Sequence, residues 1–193
     1  MRHARGFTLV ELMVTLVVFA ILAIIAMPNL TTMIQNNKVT TASNSLLADI
    51  DYARTEAVTR GSFVAICPSI DGLNCLPSND YDQGWIVYVA TGIDVAHTSA
   101  SATPPLRYTT KRANVSIQAI VNNGNIITFG QQGQLDGAQT KVPAGSNLTF
   151  ATCLVNGSGT AQSTSSVPGI QLKLLGFGSP STSTMTAGAT CTT

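Results

Sequence analysis

The sequence predicts an α+β protein in which one long N-terminal helix, with a transmembrane first half, packs on an antiparallel β-sheet head. Three observations predict this fold class. An apolar run opens the chain, apolar residues then recur at helical spacing, and short β-rich runs follow between turn-forming residues. We expect residues 7–30 to form the transmembrane helix, residues 31–61 to continue it as an amphipathic helix, and residues 62–193 to form the head.

The apolar run extends from Phe7 to Leu30, and Glu11 is its only ionisable residue. It exceeds the ~20 residues that span a bilayer, and Arg2 and Arg5 place the preceding end in the cytoplasm. A cleaved secretory signal is the alternative, but the run is too long for a signal's apolar core and no A-x-A site ends it. A carboxylate inside a membrane is costly without a partner. Glu11 is therefore a functional-site candidate, unless it only snorkels to the cytoplasmic interface.

The stretch RGFTLVELMVTL resembles the class III signal of type IV prepilins and type II secretion pseudopilins. The resemblance implies that residues 1–6 are a leader peptide, which a prepilin peptidase removes between Gly6 and Phe7, and that Phe7 is then N-methylated. It also implies a role for Glu11 in subunit assembly, because its carboxylate would pair with the Phe7 amine of a neighbouring subunit in a medium of low dielectric. Pro28 matches the helix-kinking proline of this family, and a proline breaks one helical hydrogen bond.

The second half of the helix is predicted by apolar residues spaced three or four apart. They are Val39, Ala42, Leu46, Ile50, Ala53 and Ala57. One helix is expected from about Phe7 to Arg60, with Gly61 as its C-terminal stop. The run of Arg54, Glu56 and Arg60, followed by a Cys-Pro strand end and GWIVYV, resembles the GspH/FimT group of the same family. We interpret these three charged residues as structural, on a solvated helix face.

The head is predicted from short runs of β-forming residues bounded by turn signals. The candidate strands are Ser62–Cys67, Trp85–Val89, Leu106–Thr109, Val115–Ile120, Ile126–Phe129, Leu148–Leu154 and Ile170–Leu175. Turns are expected at Asp71–Gly72, Asn122–Asn125 and Asp136–Gly137. The tail Ser179–Thr193 is low in complexity, and Cys191 is the residue expected to hold it. By the family resemblance, the head is expected to be type IV pilin-like, an antiparallel sheet wrapped against the exposed half of the helix.

Four cysteines behind an exported segment predict disulfides. They are Cys67, Cys75, Cys153 and Cys191. Counting does not separate the three possible pairings. A short loop between Cys67 and Cys75 would leave Cys153 and Cys191 to hold the C-terminal tail. A zinc site is the alternative, but the sequence has no C-x-x-C and no histidine near a cysteine pair.

No catalytic set is recognisable in the sequence. His97, the only histidine of the predicted head, lies in a predicted loop without an obvious triad partner, and there is no H-E-x-x-H motif. We therefore expect no enzyme activity, no catalytic residues, no cofactor and no bound metal.

DNA binding requires separate consideration, because some members of the FimT branch are DNA receptors with a C-terminal G-R-x-R stretch. The matching place here reads GFGS, where Phe177 and Ser179 replace both arginines. That change removes two bidentate phosphate contacts. A weak DNA patch of Arg107, Lys111 and Arg112 is the remaining candidate. The sequence thus disfavours a nucleic-acid partner.

The resemblance implies a minor pilin-like structural subunit of a type IV filament, acting in type IV pilus biogenesis at assembly initiation near the tip. The first alternative is a minor pseudopilin (protein H) of a type II protein secretion system, and the second is a DNA-binding pilin for natural transformation. Expected partners are other pilin or pseudopilin subunits through the N-terminal helix, the prepilin peptidase and the inner-membrane assembly platform. The expected location is the inner membrane, single-pass with the head in the periplasm, and afterwards the filament.

Overall fold

A single long helix dominates the computed structural model, which describes residues 7–120, 125–136, 148–157 and 159–191. This helix, α1, extends from Leu9 to Arg60. Thr8 caps its start, since the Thr8 Oγ1 accepts a hydrogen bond from the Glu11 N–H at 3.2 Å. Gly61 ends it in the left-handed conformation at φ 59°, with its N–H directed at the carbonyls of Ala57 and Val58. The predicted stop at Gly61 is confirmed.

The helix is bent in its apolar half. The segments Leu9–Ile24 and Asn29–Arg60 meet at 41°, and they meet the length and hydropathy criteria of a membrane span only when they are taken together. Within the described part of the chain, no single helix meets those criteria. Pro28 lies between the two segments, and its role as the cause of the bend stays a prediction.

Among the described residues, eight strands follow the helix and form two four-stranded antiparallel sheets. They are β1 (Val64–Pro68), β2 (Gly84–Val89), β3 (Arg107–Thr110), β4 (Val115–Ala119), β5 (Ile127–Phe129), β6 (Leu148–Leu154), β7 (Ile170–Leu174) and β8 (Pro180–Thr184). The first sheet has the order β3-β2-β1-β5, and the second has the order β4-β6-β7-β8. The predicted α+β class, a long helix packed on an antiparallel β head, is confirmed, and the described strands of that head are divided between two sheets.

The seven predicted strands are present with bounds that agree to within two residues, and the eighth described strand was missed. Strand β8 lies in the segment expected to be a low-complexity tail. It pairs antiparallel with β7, with Thr184 opposite Ile170 at one end and Pro180 opposite Leu174 at the other. Four of its five residues are exposed, so it has no alternation of buried and exposed side chains that the sequence could display. The turns predicted at Asn122–Asn125 and Asp136–Gly137 lie partly outside the described residues.

The core forms where the apolar face of the second half of α1 meets both sheets. All six residues of the predicted apolar stripe of α1 are buried, with at most 1% of their surface exposed. Five of them, all except Val39, belong to one core cluster with Ile66 and Trp85 of the first sheet and with Phe150 and Leu172 of the second. Three of the six stripe residues are alanines, and such small side chains let the helix backbone approach the strands closely. The stripe therefore fixes α1 against the two sheets at once.

Both cysteine pairs form disulfides that hold peripheral segments against the sheets. Cys67 at the end of β1 is joined to Cys75, eight residues further on. Cys153 of β6 is joined to Cys191, so the end of the chain lies against the outer face of the second sheet. All four cysteines are used in these two disulfides, so none is left as a free thiol. The structure thereby selects one pairing among the three that the sequence left open.

The segment before β2 links the two sheets through a partly buried carboxylate. The Tyr81 N–H donates to the Ile117 carbonyl of β4 at 2.9 Å, and the Ile117 N–H donates to Oδ1 of Asp82. Burial raises the pKa of Asp82, although the Ile117 N–H acts in the opposite direction. The charged form is thus less favourable in the folded chain than in the unfolded chain.

The Asp82→Asn variant is expected to be more stable than the parent at pH 7. Because the folded-state pKa is raised, the cost of the Asp82 charge is fully present above that pKa and disappears below the pKa of the unfolded chain, near 4. An asparagine keeps an acceptor for Ile117 and carries no charge. Thermal unfolding of the full-length protein in detergent, at pH 7 and at pH 4, measures the difference. The gain should be largest at pH 7 and shrink toward pH 4, and a variant less stable than the parent at pH 7 would contradict this.

Candidate functional site

The first half of α1 is an exposed apolar surface. Phe7, Leu9, Phe19 and Met27 each expose 70% or more of their surface, and most of the large apolar residues around them expose more than half. Apolar surface of this extent on a soluble monomer marks a site of membrane or protein contact. The other half of the same helix is buried in the head, so α1 presents one half of its length to a partner.

Glu11 is the one ionisable group on this apolar surface. It lies in the first turn of α1 and is exposed. Its backbone N–H is held by Thr8, while its carboxylate makes no hydrogen bond or ion pair within the described part of the chain. An acidic group is favourable in the first helical turn, where backbone N–H groups lack partners. The carboxylate is therefore accessible to a cationic group of another molecule. Gly6, the predicted cleavage position, lies outside the described residues.

A buried carboxylate that the sequence analysis missed connects α1 to the first sheet. Asp49 is 3% exposed. Its Oδ2 accepts hydrogen bonds from Trp85 Nε1 at 2.8 Å and from Thr109 Oγ1 at 2.6 Å, and its Oδ1 accepts one from Arg107 Nη1 at 2.6 Å. Three donors from β2 and β3 thus satisfy a charge that would otherwise be costly to bury. The sequence signal that could have indicated a buried Asp49 was its position, since it follows the stripe residue Leu46 by three residues.

The basic residues predicted as a DNA patch are divided between two roles. Arg107 is bound by Asp49, and its guanidinium lies 4.1 Å from the centre of the Tyr52 ring. Lys111 and Arg112 instead line a pocket of about 340 Å³ with Lys38 of α1. Arg112 Nη2 also donates to Ser45 Oγ at 2.7 Å. Lys38 was not identified from the sequence, because nothing local connects it with a loop more than 70 residues away.

The charged run near the end of α1 makes structural contacts. Arg54 Nε donates to the Gly133 carbonyl at 3.1 Å. Arg60 forms an ion pair with Glu56, and this hydrogen bond raises the pKa of the Arg60 guanidinium. Both contacts agree with the structural interpretation of these residues, although Arg54 is half-buried rather than solvated.

The GFGS stretch forms the tight turn between β7 and β8. The Gly178 N–H donates to the Leu175 carbonyl at 2.7 Å. Gly178 has φ 80°, and a side chain there would meet the Gly133 carbonyl oxygen at 2.2 Å, so only glycine fits. Phe177 is 75% exposed at the tip of this turn. The turn thus presents an aromatic ring where the DNA-receptor branch carries arginine.

His97 fastens the loop between β2 and β3. Its Nδ1 lies 2.5 Å from the Leu73 carbonyl oxygen, and its Nε2 lies 2.8 Å from that of Thr103. The ring is buried and lies edge-on to Tyr88, with the centroids 5.2 Å apart. Both ring nitrogens are therefore used by backbone oxygens. Among the described residues, no cluster of three or more His, Cys, Asp or Glu side chains is arranged to hold a metal ion.

Comparisons with known families and structures cover both halves of the chain. The family described as type II transport protein GspH matches residues 42–188, and the prokaryotic N-terminal methylation motif matches residues 1–27. The sequence has no significant match among curated proteins.

Two crystal structures of the Pseudomonas aeruginosa type IV minor pilin FimU share the fold. They have TM-scores of 0.54 and 0.52 and are 22% identical in sequence. The matches cover 81% and 79% of this chain, and 96% and 99% of the two FimU chains. At this identity the likeness concerns the fold.

Removal of the Asp49 carboxylate should destabilise the protein strongly. The Asp49→Ala variant leaves the buried Trp85 N–H without an acceptor and breaks two further hydrogen bonds, so we expect a loss of about 2–4 kcal/mol. Asp49→Asn keeps an acceptor oxygen and should lose less. Urea unfolding, followed by the fluorescence of Trp85, the only tryptophan, measures the loss.

The control for this experiment is Asp51→Ala, since Asp51 is on the exposed face of the same helix. An exposed substitution of this kind should change stability by no more than about 0.5 kcal/mol. Equal losses for the Asp49 and Asp51 variants would contradict the structural role assigned to Asp49.

Proposed function

The chain belongs to the GspH family of type II transport proteins, and from that premise we propose that it is a minor pilin-like structural subunit of a type IV filament. One observation carries this proposal: a helix whose second half packs one face on a folded head exposes an apolar first half, and within the described residues the carboxylate of Glu11 on that half makes no hydrogen bond or ion pair. Family and fold are those of structural pilin subunits rather than of known enzymes.

We propose that the subunit is stored in the inner membrane before assembly. Residues 7–30 would lie in the bilayer, with Arg2 and Arg5 on the cytoplasmic side and the head in the periplasm. The two disulfides suit an oxidising compartment of this kind. The match to the N-terminal methylation motif supports processing between Gly6 and Phe7 by a prepilin peptidase, with methylation of the new Phe7 amine.

Assembly then depends on a charge pair between subunits. The carboxylate of Glu11 would accept the positively charged amine of Phe7 from a neighbouring subunit, in an environment without water to screen the attraction. The apolar side chains around Glu11 would at the same time pack on the helices of neighbouring subunits. The pair sets the axial position of the incoming helix, because its two members lie four residues apart along each chain.

The machine that uses this filament is either a type IV pilus or a type II secretion system. The fold shared with a type IV minor pilin favours a pilus, and the name of the matching family favours protein H of a secretion pseudopilus. We propose the pilus as the first candidate, with a position near the tip. A clean gene deletion scored for twitching, DNA uptake and exoprotein secretion tests this choice. Loss of secretion with normal pili would contradict the pilus assignment.

The Glu11→Ala variant should be processed normally but enter filaments poorly. Loss of even ~1.4 kcal/mol of pairing free energy lowers incorporation about tenfold. Quantitative immunoblotting of sheared filaments against the membrane fraction measures incorporation. The matched control is Glu56→Ala, which removes a carboxylate of the same helix that pairs within the chain. Normal incorporation of the Glu11 variant would refute the charge pair.

A further inference from the structure

The pocket lined by Lys38, Lys111, Arg112, Ala113 and Val115, called here the basic pocket, has a volume of about 340 Å³ and contains no acidic residue. We propose that the basic pocket binds the phosphate headgroup of an anionic membrane lipid while the subunit is stored in the membrane. This inference rests on the proposed function, since it requires the first half of α1 to lie in a bilayer.

The position of Lys38 along α1 places the basic pocket at the membrane surface. Lys38 is the only charged residue between Glu11 and Asp49 and follows Leu30, the end of the apolar run, by eight residues. Eight residues rise about 12 Å along a helix axis. The headgroup layer extends about 5–7 Å beyond the hydrocarbon on each side. The flexible four-carbon stem of Lys38 covers the remaining distance.

The charge of the basic pocket is not neutralised by the protein. Within the described residues, neither Lys38 nor Lys111 makes a hydrogen bond or ion pair, and both are exposed. Arg112 uses one donor for Ser45 and keeps the rest of its planar fork for an anion. By contrast, Arg60 and Arg107 are bound by carboxylates of the chain. The basic pocket therefore holds three positive charges without an internal counter-ion.

An apolar groove lies on α1 below the basic pocket. It is lined by Ala23, Met27, Asn29, Leu30 and Met33, and its volume is about 480 Å³. Met33, at the C-terminal end of this groove and beyond the bend, precedes Lys38 by five residues, a rise of about 7.5 Å along the helix axis. An acyl chain in this groove would leave its phosphate near Lys38. The combination of an apolar groove and a basic pocket matches one amphiphilic ligand.

A lipid fits these observations better than a nucleic acid. None of the five residues that line the basic pocket is aromatic, so bases have no ring to stack on there. The apolar groove on the same helix has no counterpart in a nucleic-acid ligand. Basic residues that follow an exposed apolar helical segment are expected for a site at the edge of a membrane.

The test uses full-length protein in a non-ionic detergent, titrated with phosphatidylglycerol or with phosphatidylcholine, and counts bound lipids by native mass spectrometry. The parent should prefer phosphatidylglycerol. Each basic residue near an anionic surface contributes about fivefold in affinity, so Lys38→Gln/Lys111→Gln should reduce the preference by about tenfold or more. The control, Arg60→Gln/Lys173→Gln, removes the same charge elsewhere on the head and should retain the preference.

Three results would overturn the proposal. The first is equal binding of both lipids by the parent, and the second is a control that loses as much preference as the pocket variant. The third is binding of a single-stranded oligonucleotide by the pocket residues without any preference for phosphatidylglycerol. The last result would assign the surface to nucleic acid. The lipid measurement uses unassembled protein, so it is independent of Glu11. A Glu11→Ala variant that assembles normally would refute the charge pair, and a parent chain that never enters filaments would contradict the proposed function. Neither result would change the lipid preference of the unassembled protein.

Discussion

The carboxylate of Asp49, buried between the helix and the first sheet, is the contact on which the arrangement of the head depends. It accepts hydrogen bonds from donors on β2 and β3, while the apolar stripe on either side of it packs against both sheets. A buried charge is tolerated only when such donors are in place, so α1 has little freedom to slide or rotate on the sheets. A filament subunit needs this rigidity, because the head must follow the helix that the filament holds.

The same helix is built for two environments. Its second half places small and branched apolar residues against the sheets, and its first half leaves large apolar residues uncovered. The first half can be stable only in lipid or against other helices. In such a medium a lone carboxylate is unfavourable until a cation reaches it, and this is the physical basis of the assembly role that we propose for Glu11. The bend between Ile24 and Asn29 separates the two halves.

Local features of the sequence predicted the local features of the fold. The spacing of the stripe residues predicted the helix and its buried face, and Gly61 predicted its C-terminal end. Features that depend on distant residues were missed. The partners of Asp49 lie 36 to 60 residues away, and β8 is held to β7 by backbone hydrogen bonds with almost no buried side chain. The division into two sheets likewise depends on β5 returning to β1 across the chain. The residues that line the basic pocket with Lys38 are likewise distant from it in the sequence.

The N-terminus of the chain recovered from filaments shows whether this subunit is processed and assembled as proposed. Sheared filaments would be purified, and the intact mass of this subunit would be measured beside that of the membrane-bound pool. We expect a chain that begins at Phe7 and is one methyl group heavier than its sequence. A chain that retains Met1 and is absent from the filaments, in cells that assemble them normally, would contradict it.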